Sequence, residues 1–269
     1  MTKPLVIYHG PDCWDGFCAA WLMHKFGFDD DADYHPAQYD EPPPDVAGRV
    51  VYVLDFSYPR PVLERMKEES LGMVVLDHHK TAQADLADLS YCIFDMTRSG
   101  AELTWARLSW INQGHMPDRP WLVDYTADRD LWRWALPDSK EVNAALRSYP
   151  LDFAVWDHLD EDRTPESMKQ DGTAILRAEE VTIQTHLARA REVEFDGYRV
   201  LSVNATSLFS EIAGRLAEDR PFGVVWFERG SVRQYSLRSR EGGIDVSEIA
   251  KAHGGGGHFH AAGFEEEVA

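Results

Sequence analysis

The sequence predicts an α/β protein: a doubly wound, mainly parallel sheet, then a helical connector, then a smaller mixed α/β domain. Two observations carry that reading. Short, continuously apolar runs at 5–8, 50–54 and 73–76 each stop at polar residues, and helix-favouring stretches follow the first two, the pattern of parallel strands buried on both faces. A polar, charge-rich tract without strand alternation then intervenes, after which strands and helices resume near residue 198. The boundaries fall at 1–150 for the first domain, 151–195 for the connector and 196–269 for the second domain.

In order along the chain, the run LVIY at 5–8 is a strand ending in His9-Gly10-Pro11, and 17–26 is a mostly apolar helix. The run VVYVL at 50–54 stops at Asp55 before a helix near 62–69, and MVVL at 73–76 stops at Asp77-His78-His79. Residues 99–112 read as a helix with Gly114 as its stop, and 120–134 carry the acidic pair Asp128 and Asp130. Within the connector, Thr164-Pro165-Glu166 resembles a helix start. Beyond it come a strand at 198–203, a helix at 207–218, and a hairpin of 223–227 with 232–238 around Arg229-Gly230. A short helix at 246–253 leads into the glycine run 254–257.

Of the 269 residues 44% are hydrophobic, as in folded proteins, and 27 Lys+Arg against 46 Asp+Glu leave a net charge of −19. That balance provides no basic face for a long nucleic-acid backbone, so a long duplex is excluded as partner. An anionic substrate must instead be small and met by bound metal or by a few Arg and His residues. The three cysteines, Cys13, Cys18 and Cys92, are an odd number without framework spacing, and MTKPLVIYHG lacks the regions of a signal peptide. The expectation is a cytoplasmic protein. Charges interrupt every apolar run well before the roughly 18 residues of a membrane span.

Polar residues follow three strand ends: His9 to Asp15, Asp55, and Asp77 with His78. In an open α/β sheet that edge is where ligands bind. Carboxylates combined with imidazoles suit Mn²⁺, Zn²⁺ or Fe, and carboxylates gathered in a crevice repel one another unless a cation joins them. The motifs, in order, are His9-Gly-Pro-Asp12-Cys13-Trp-Asp15-Gly16, Asp55 after a strand, Asp77-His78-His79, Asp128-Arg129-Asp130-Leu131-Trp132, and Gly255-Gly256-Gly257-His258-Phe-His260-Ala261-Ala262-Gly263. Together they resemble the DHH phosphoesterases that carry a C-terminal DHHA1 domain.

The resemblance implies a two-metal phosphoesterase, usually Mn²⁺-dependent with Mg²⁺ or Co²⁺ as substitutes, whose active site lies in the cleft between the two domains. It implies that His9 and the acid of the first motif hold one metal and Asp15 and His78 the other. Asp55, Asp77 and the aspartate of the fourth motif complete or bridge the pair. His79 and His258 act on the substrate. The implied reaction is hydrolysis of a phosphodiester or phosphomonoester in a small nucleotide or short single-stranded oligonucleotide. Its rivals are a phosphoanhydride hydrolase and a catalytically weak nucleotide sensor, and a homodimer stays open.

The sequence departs from the family at its first motif, where Asp-x-Asp-Gly is usual and Cys13 stands two places before Asp15. Either Asp12 reaches the metal through a shifted loop, or Cys13 ligates as a thiolate, or the first metal is held more weakly. Asp12 is the first choice, with Cys13 read as an ordinary buried residue. In the fourth motif Asp128 is preferred, leaving Asp130 as a helix N-cap or as a partner of Arg129 or Arg133. Trp132 and Trp134 are of a type that stacks on bases, but core packing is the preferred reading. Gly255, Gly256 and Gly257, with His258 and His260, are expected to approach a phosphate or a terminal nucleotide. Arg238 is expected to contact phosphate. Ser99 opens a helix whose N-terminus suits phosphate, and serves equally as that helix's cap.

Overall fold

Alternate residues of the first strand, β1 (Leu5–His9), enter two different cores: Val6 and Tyr8 join one, Leu5 and Ile7 the other. A strand divides its side chains in this way only when both of its faces are covered. The computed structural model describes residues 2–39 and 41–268, and its contacts divide the chain into Met1–Leu176 and Arg177–Ala269.

In the first unit β1 lies between β2 (Asp33–Ala37) and β3 (Val50–Leu54), followed by β4 (Gly72–Asp77) and β5 (Cys92–Phe94), all parallel. Helices α1 (Trp14–Met23), α4 (Gly100–Ile111) and α5 (Trp121–Asp130) cover one face, burying Phe17, Trp21, Leu108 and Leu122. On the other face α2 (Arg60–Glu69) and α3 (Lys80–Leu86) contribute Leu63, Met66 and Leu86. Each such side chain, fully removed from water, stabilises the fold by about 1.5–3 kcal/mol before entropy is counted. The sheet is therefore doubly wound. From β1 the chain runs outward to β2 and then returns to the other side of β1 as β3, so direction reverses between β1 and β3. Loops leaving those two strands part to opposite sides and open a crevice at their C-terminal ends, where His9 and Asp55 stand.

The expected 151–195 connector does not stand apart as one piece. Helices α6 (Ser139–Leu146) and α7 (Phe153–Asp162) pack on the first core, where Trp156 and Leu159 are buried, and Trp21 Nε1 donates to Asp157 at 3.0 Å. The long α8 (Pro165–Leu187) begins there too, with Met168 fully buried. Gly172 lets α8 pass the turn at Glu141, since a Cβ at 172 would lie 1.7 Å from the Glu141 carbonyl oxygen. The helix-favouring composition gives helices, but Trp156, Leu159 and Met168 supply an apolar face that ties them to the first unit. The tract ends in a strand, β6 (Arg191–Phe195).

The second unit is a six-stranded mixed sheet in the order β10 (Gly256–His258), β11 (Ala261–Glu267), β9 (Val232–Arg238), β8 (Gly223–Arg229), β7 (Tyr198–Asn204), β6. Only β7 and β8 pair in parallel. Val224 and Leu237 face α10 (Val246–Ala252) on one side, while Val203 and Val225 meet Ile212 and Leu216 of α9 (Phe209–Leu216) on the other. The expected α/β classes of both domains are thus present. No described helix is long and apolar enough to cross a membrane.

Candidate metal centre

Three parallel strands end in the acids and imidazoles of the site. Asp55 follows β3, is 1% exposed, and has a left-handed backbone with φ of +55°, a region that Asp tolerates better than most residues. Its two carboxylate oxygens serve two neighbourhoods. Oδ1 lies 3.0 Å from His78 Nε2, while Oδ2 accepts from Cys13 Sγ at 3.2 Å and lies 3.5 Å from His9 Nδ1. Burial alone would raise this carboxyl, but hydrogen bonding to His78 and the His9 imidazole beside it hold it well below the usual range.

Asp15, in the first turn of α1, is also 1% exposed and accepts from the Gly100 and Ala101 N–H groups at 2.5 and 3.2 Å. The N-terminus of α4, expected to suit phosphate, is spent on this carboxylate. Gly100 is required by that approach, since a Cβ there would stand 2.4 Å from Asp55 Cβ. Even so, burial, with Asp55 and Asp130 adding to it, pushes the Asp15 carboxyl well above its ordinary value. A cation set among these carboxylates would relieve that repulsion.

Asp77 ends β4, and its Oδ1 accepts from the N–H groups of His78 and His79 and from His79 Nδ1 at 2.7, 3.1 and 2.7 Å. The Ser57 hydroxyl donates to Oδ2 at 2.5 Å, a contact for which no sequence signal existed. Opposing the effect of burial, the His79 pairing and the Ser57 bond hold Asp77 low. His78 is buried with Nε2 facing Asp55, Asp15 at 3.8 Å and Asp130 at 3.4 Å. Burial disfavours its charge, yet those three carboxylates push its pKa up to about 10.

The two aspartates of the fourth motif separate clearly. Asp128, the preferred ligand, turns away: its carboxylate accepts from Ala135 N–H at 3.0 Å, Leu136 N–H at 3.3 Å and the Ser139 hydroxyl at 2.5 Å. Asp128 belongs to no donor set among the described residues, where Asp130 takes the place preferred for it. Asp130 instead ends α5 beside His78, with Oδ2 buried and without a hydrogen-bond partner among the described residues. At that end of the helix it cannot be an N-cap.

In the first motif Asp12 is exposed and belongs to no candidate cation set among the described residues, whereas Cys13 does. Cys13 is the N-cap of α1 and accepts from Gly16 N–H at 3.4 Å. Burial pushes its thiol well up, and Asp55, Asp130 and Asp15 add to the shift.

Among the described residues, donor atoms within 4.8 Å of one another form three sets at this strand edge: His9, Cys13 and Asp55; Asp15, His78 and Asp130; and Asp55, Asp77 and His79. A further set of this unit, His24, Asp29 and Asp30, lies elsewhere with both aspartates exposed. Mixed carboxylate, imidazole and thiol donors, one carboxylate common to two sets, and a buried orphan oxygen on Asp130 fit divalent cations of borderline hardness.

The remaining expected residues divide. Ser99 is fully buried as the N-cap of α4, in a capping box with Glu102, the second of the two roles read from the sequence. Gly256 and Gly257 with His258 form β10 in a hairpin with β11, and Gly255 and Gly257 are needed because a Cβ would meet Gly263 and Ala261 carbonyl oxygens at 2.1 and 2.5 Å. His260 Nδ1 lies 2.8 Å from the Ser239 hydroxyl, and Arg238 ends β9, donating to the Ser210 hydroxyl at 2.6 Å. Trp132 is 46% exposed, against the core reading, and meets the half-buried Trp134 edge to face at 5.0 Å.

No family model matches the chain. Over 96% of its length it is 28% identical to an uncharacterised protein of Acanthamoeba polyphaga mimivirus, spanning 66% of that protein. Over 70% of its length it is 29% identical to the oligoribonuclease NrnB of Bacillus subtilis, spanning 51% of it. The chain thus covers about half to two thirds of these relatives. Among solved structures, exonuclease RecJ bound to manganese aligns with a TM-score of 0.59 at 16% identity, covering 100% of this chain and 86% of that one, a likeness of fold.

Proposed function

We propose that the chain is a phosphoesterase of the DHH superfamily, which hydrolyses phosphodiester or phosphomonoester bonds in small nucleotides or short single-stranded oligonucleotides with the help of two divalent cations, Mn²⁺ foremost. The observation that carries the reading is Asp55, whose Oδ1 lies 3.0 Å from His78 and whose Oδ2 lies 3.5 Å from His9, one member of each proposed cation set, where the strand order reverses. His9, Cys13 and Asp55 would hold one cation and Asp15, His78 and Asp130 the other, with Asp77 and His79 beside Asp55. When bound, such a pair offsets phosphate charge and lowers the pKa of water.

The protein's own part is orientation. Gly100 and Ala101 N–H groups fix the Asp15 carboxylate, and Asp77 orients the His79 ring through Nδ1, an imidazole that would exchange a proton with substrate or water. In the second unit Arg238, Gly255 to Gly257, His258 and His260 would bind the rest of the substrate, a role the motif resemblance supports.

The test is chromatography of products from dinucleotides, cyclic dinucleotides, adenosine bisphosphate, short single strands and polyphosphate, incubated with wild type or Asp130→Asn in Mn²⁺ or chelator. Mn²⁺-dependent release of mononucleotides by wild type alone is expected. Phosphate released only from anhydrides, or tight binding without turnover, would overturn the proposal.

A further inference from the structure

Among the described residues of the first unit, three aromatic side chains are strongly exposed: Tyr39, Trp110 and Trp132, at 54%, 71% and 46%. Trp110 is covered on one face by the Arg107 guanidinium, 4.5 Å from its ring. Of the other two, Tyr39 touches the metal centre at His9, and Trp132 follows Asp130, at the far end of the cluster, by two residues. Tyr39 meets His9 edge-on, with ring centroids 5.5 Å apart, and lies 6.5 Å from His79. From His9 contacts run through Asp55 and His78 to Asp130, over 3.5, 3.0 and 3.4 Å.

Each ring has an aromatic neighbour behind it. Tyr39 is backed by Phe56, itself buried, with ring centroids 4.9 Å apart. Trp132 and Trp134 both have left-handed backbones, φ +55° and +51°, a conformation bulky residues adopt only where the surroundings enforce it. Asp128 does the enforcing. Its carboxylate holds Ala135, Leu136 and Ser139, and its carbonyl accepts from Arg133 N–H at 2.8 Å. Arg133 in turn donates to the Thr97 carbonyl, and Trp134 braces Trp132 from the side. The clamp displays an apolar ring that would otherwise be expected to fold away from water.

We propose that Tyr39 and Trp132 are stacking platforms for the two nucleobases that flank the scissile phosphate, one on each side of the metal centre. The inference rests on the proposed function and deepens it: the unit that carries the cations would also select a dinucleotide step. Aromatic faces stack on any base, so the platforms select for the presence of bases and not for sequence.

The test uses the full-length protein with Mn²⁺ and three substrates: a dinucleotide, and analogues abasic on the 5′ or the 3′ side. Tyr39→Ala and Trp132→Ala should each raise the dinucleotide KM by about 5- to 150-fold, the effect of losing one stacked base, with kcat changed little. Each penalty should vanish on one analogue, a different one for each residue, and Tyr39→Phe and Trp132→Phe should keep most of the affinity. An unchanged dinucleotide KM in either variant, or penalties that persist on both analogues, would overturn the proposal. Should wild type cleave none of the three, the functional reading falls by itself. Equilibrium dialysis of the dinucleotide then decides the platforms: weaker binding in both alanine variants supports them, and equal or absent binding overturns them.

Discussion

Asp128 and Asp130 are the same residue type two positions apart at the end of one helix, and the chain uses them for different purposes. What separates them is direction: the loop after α5 turns back over Asp128, while Asp130 faces His78. Cys13 and Asp12 divide similarly, because capping α1 aims the thiol inward and leaves the neighbouring carboxylate in water. Calorimetric titration with Mn²⁺ across four variants would read both divisions. Asp130→Asn and Cys13→Ser should weaken binding by about tenfold or more, whereas Asp12→Asn and Asp128→Asn should leave it nearly unchanged. Asp128→Asn should instead lose stability, by about 1–3 kcal/mol for the buried bonds it disturbs. Weakening by Asp12→Asn with a silent Cys13→Ser would restore the first choice made from sequence. The motifs located this site to within a few residues, but which oxygen or sulfur points inward depended on cap and loop geometry. Tyr39 had no signal at all, standing in a polar, proline-rich tract.

At the scale of elements, the strands legible in the sequence were those buried on both faces or paired in an obvious hairpin. The edge strands β2 and β6 were not, since DYHPA and REVEF are largely solvent-facing and carry charges, with Pro36 tolerated at an edge that needs no donor there. Such strands exist because a neighbour offers hydrogen bonds, which their own pattern does not announce. The connector's attachment to the first unit is hidden for a related reason, as its composition is polar while a few residues decide its docking. Two glycines make that docking measurable. Gly172→Ala puts a methyl against the Glu141 carbonyl and should cost about 1–3 kcal/mol as α8 is forced off its seat. Gly214→Ala, in α9 where nothing lies within 4 Å of the added Cβ, should stabilise by about 0.5–1 kcal/mol. Thermal melting of the two variants against wild type reads opposite signs; a neutral Gly172→Ala would mean that α8 does not rest on Glu141.

Across the whole chain, the net charge of −19 acts on any polyanion that approaches, while cations bound as proposed would act only over short range. Proteins that track nucleic acids lose affinity as salt rises, because their basic faces release counterions. Here the sign should reverse for long substrates. At about 0.01 M salt the Debye length is about 30 Å, so the acidic body repels the distal phosphates of a long strand; at about 0.15 M it is about 8 Å and the repulsion is screened. A dinucleotide has few phosphates beyond the site and feels little of this. Measured as kcat/KM at saturating Mn²⁺, cleavage of a single strand of about 20 nucleotides should therefore rise with added salt, and dinucleotide cleavage should stay flat or fall slightly. A long strand whose cleavage falls steeply with salt would instead indicate a local basic track that outweighs the net charge, and would remove the argument that charge confines this protein to short substrates.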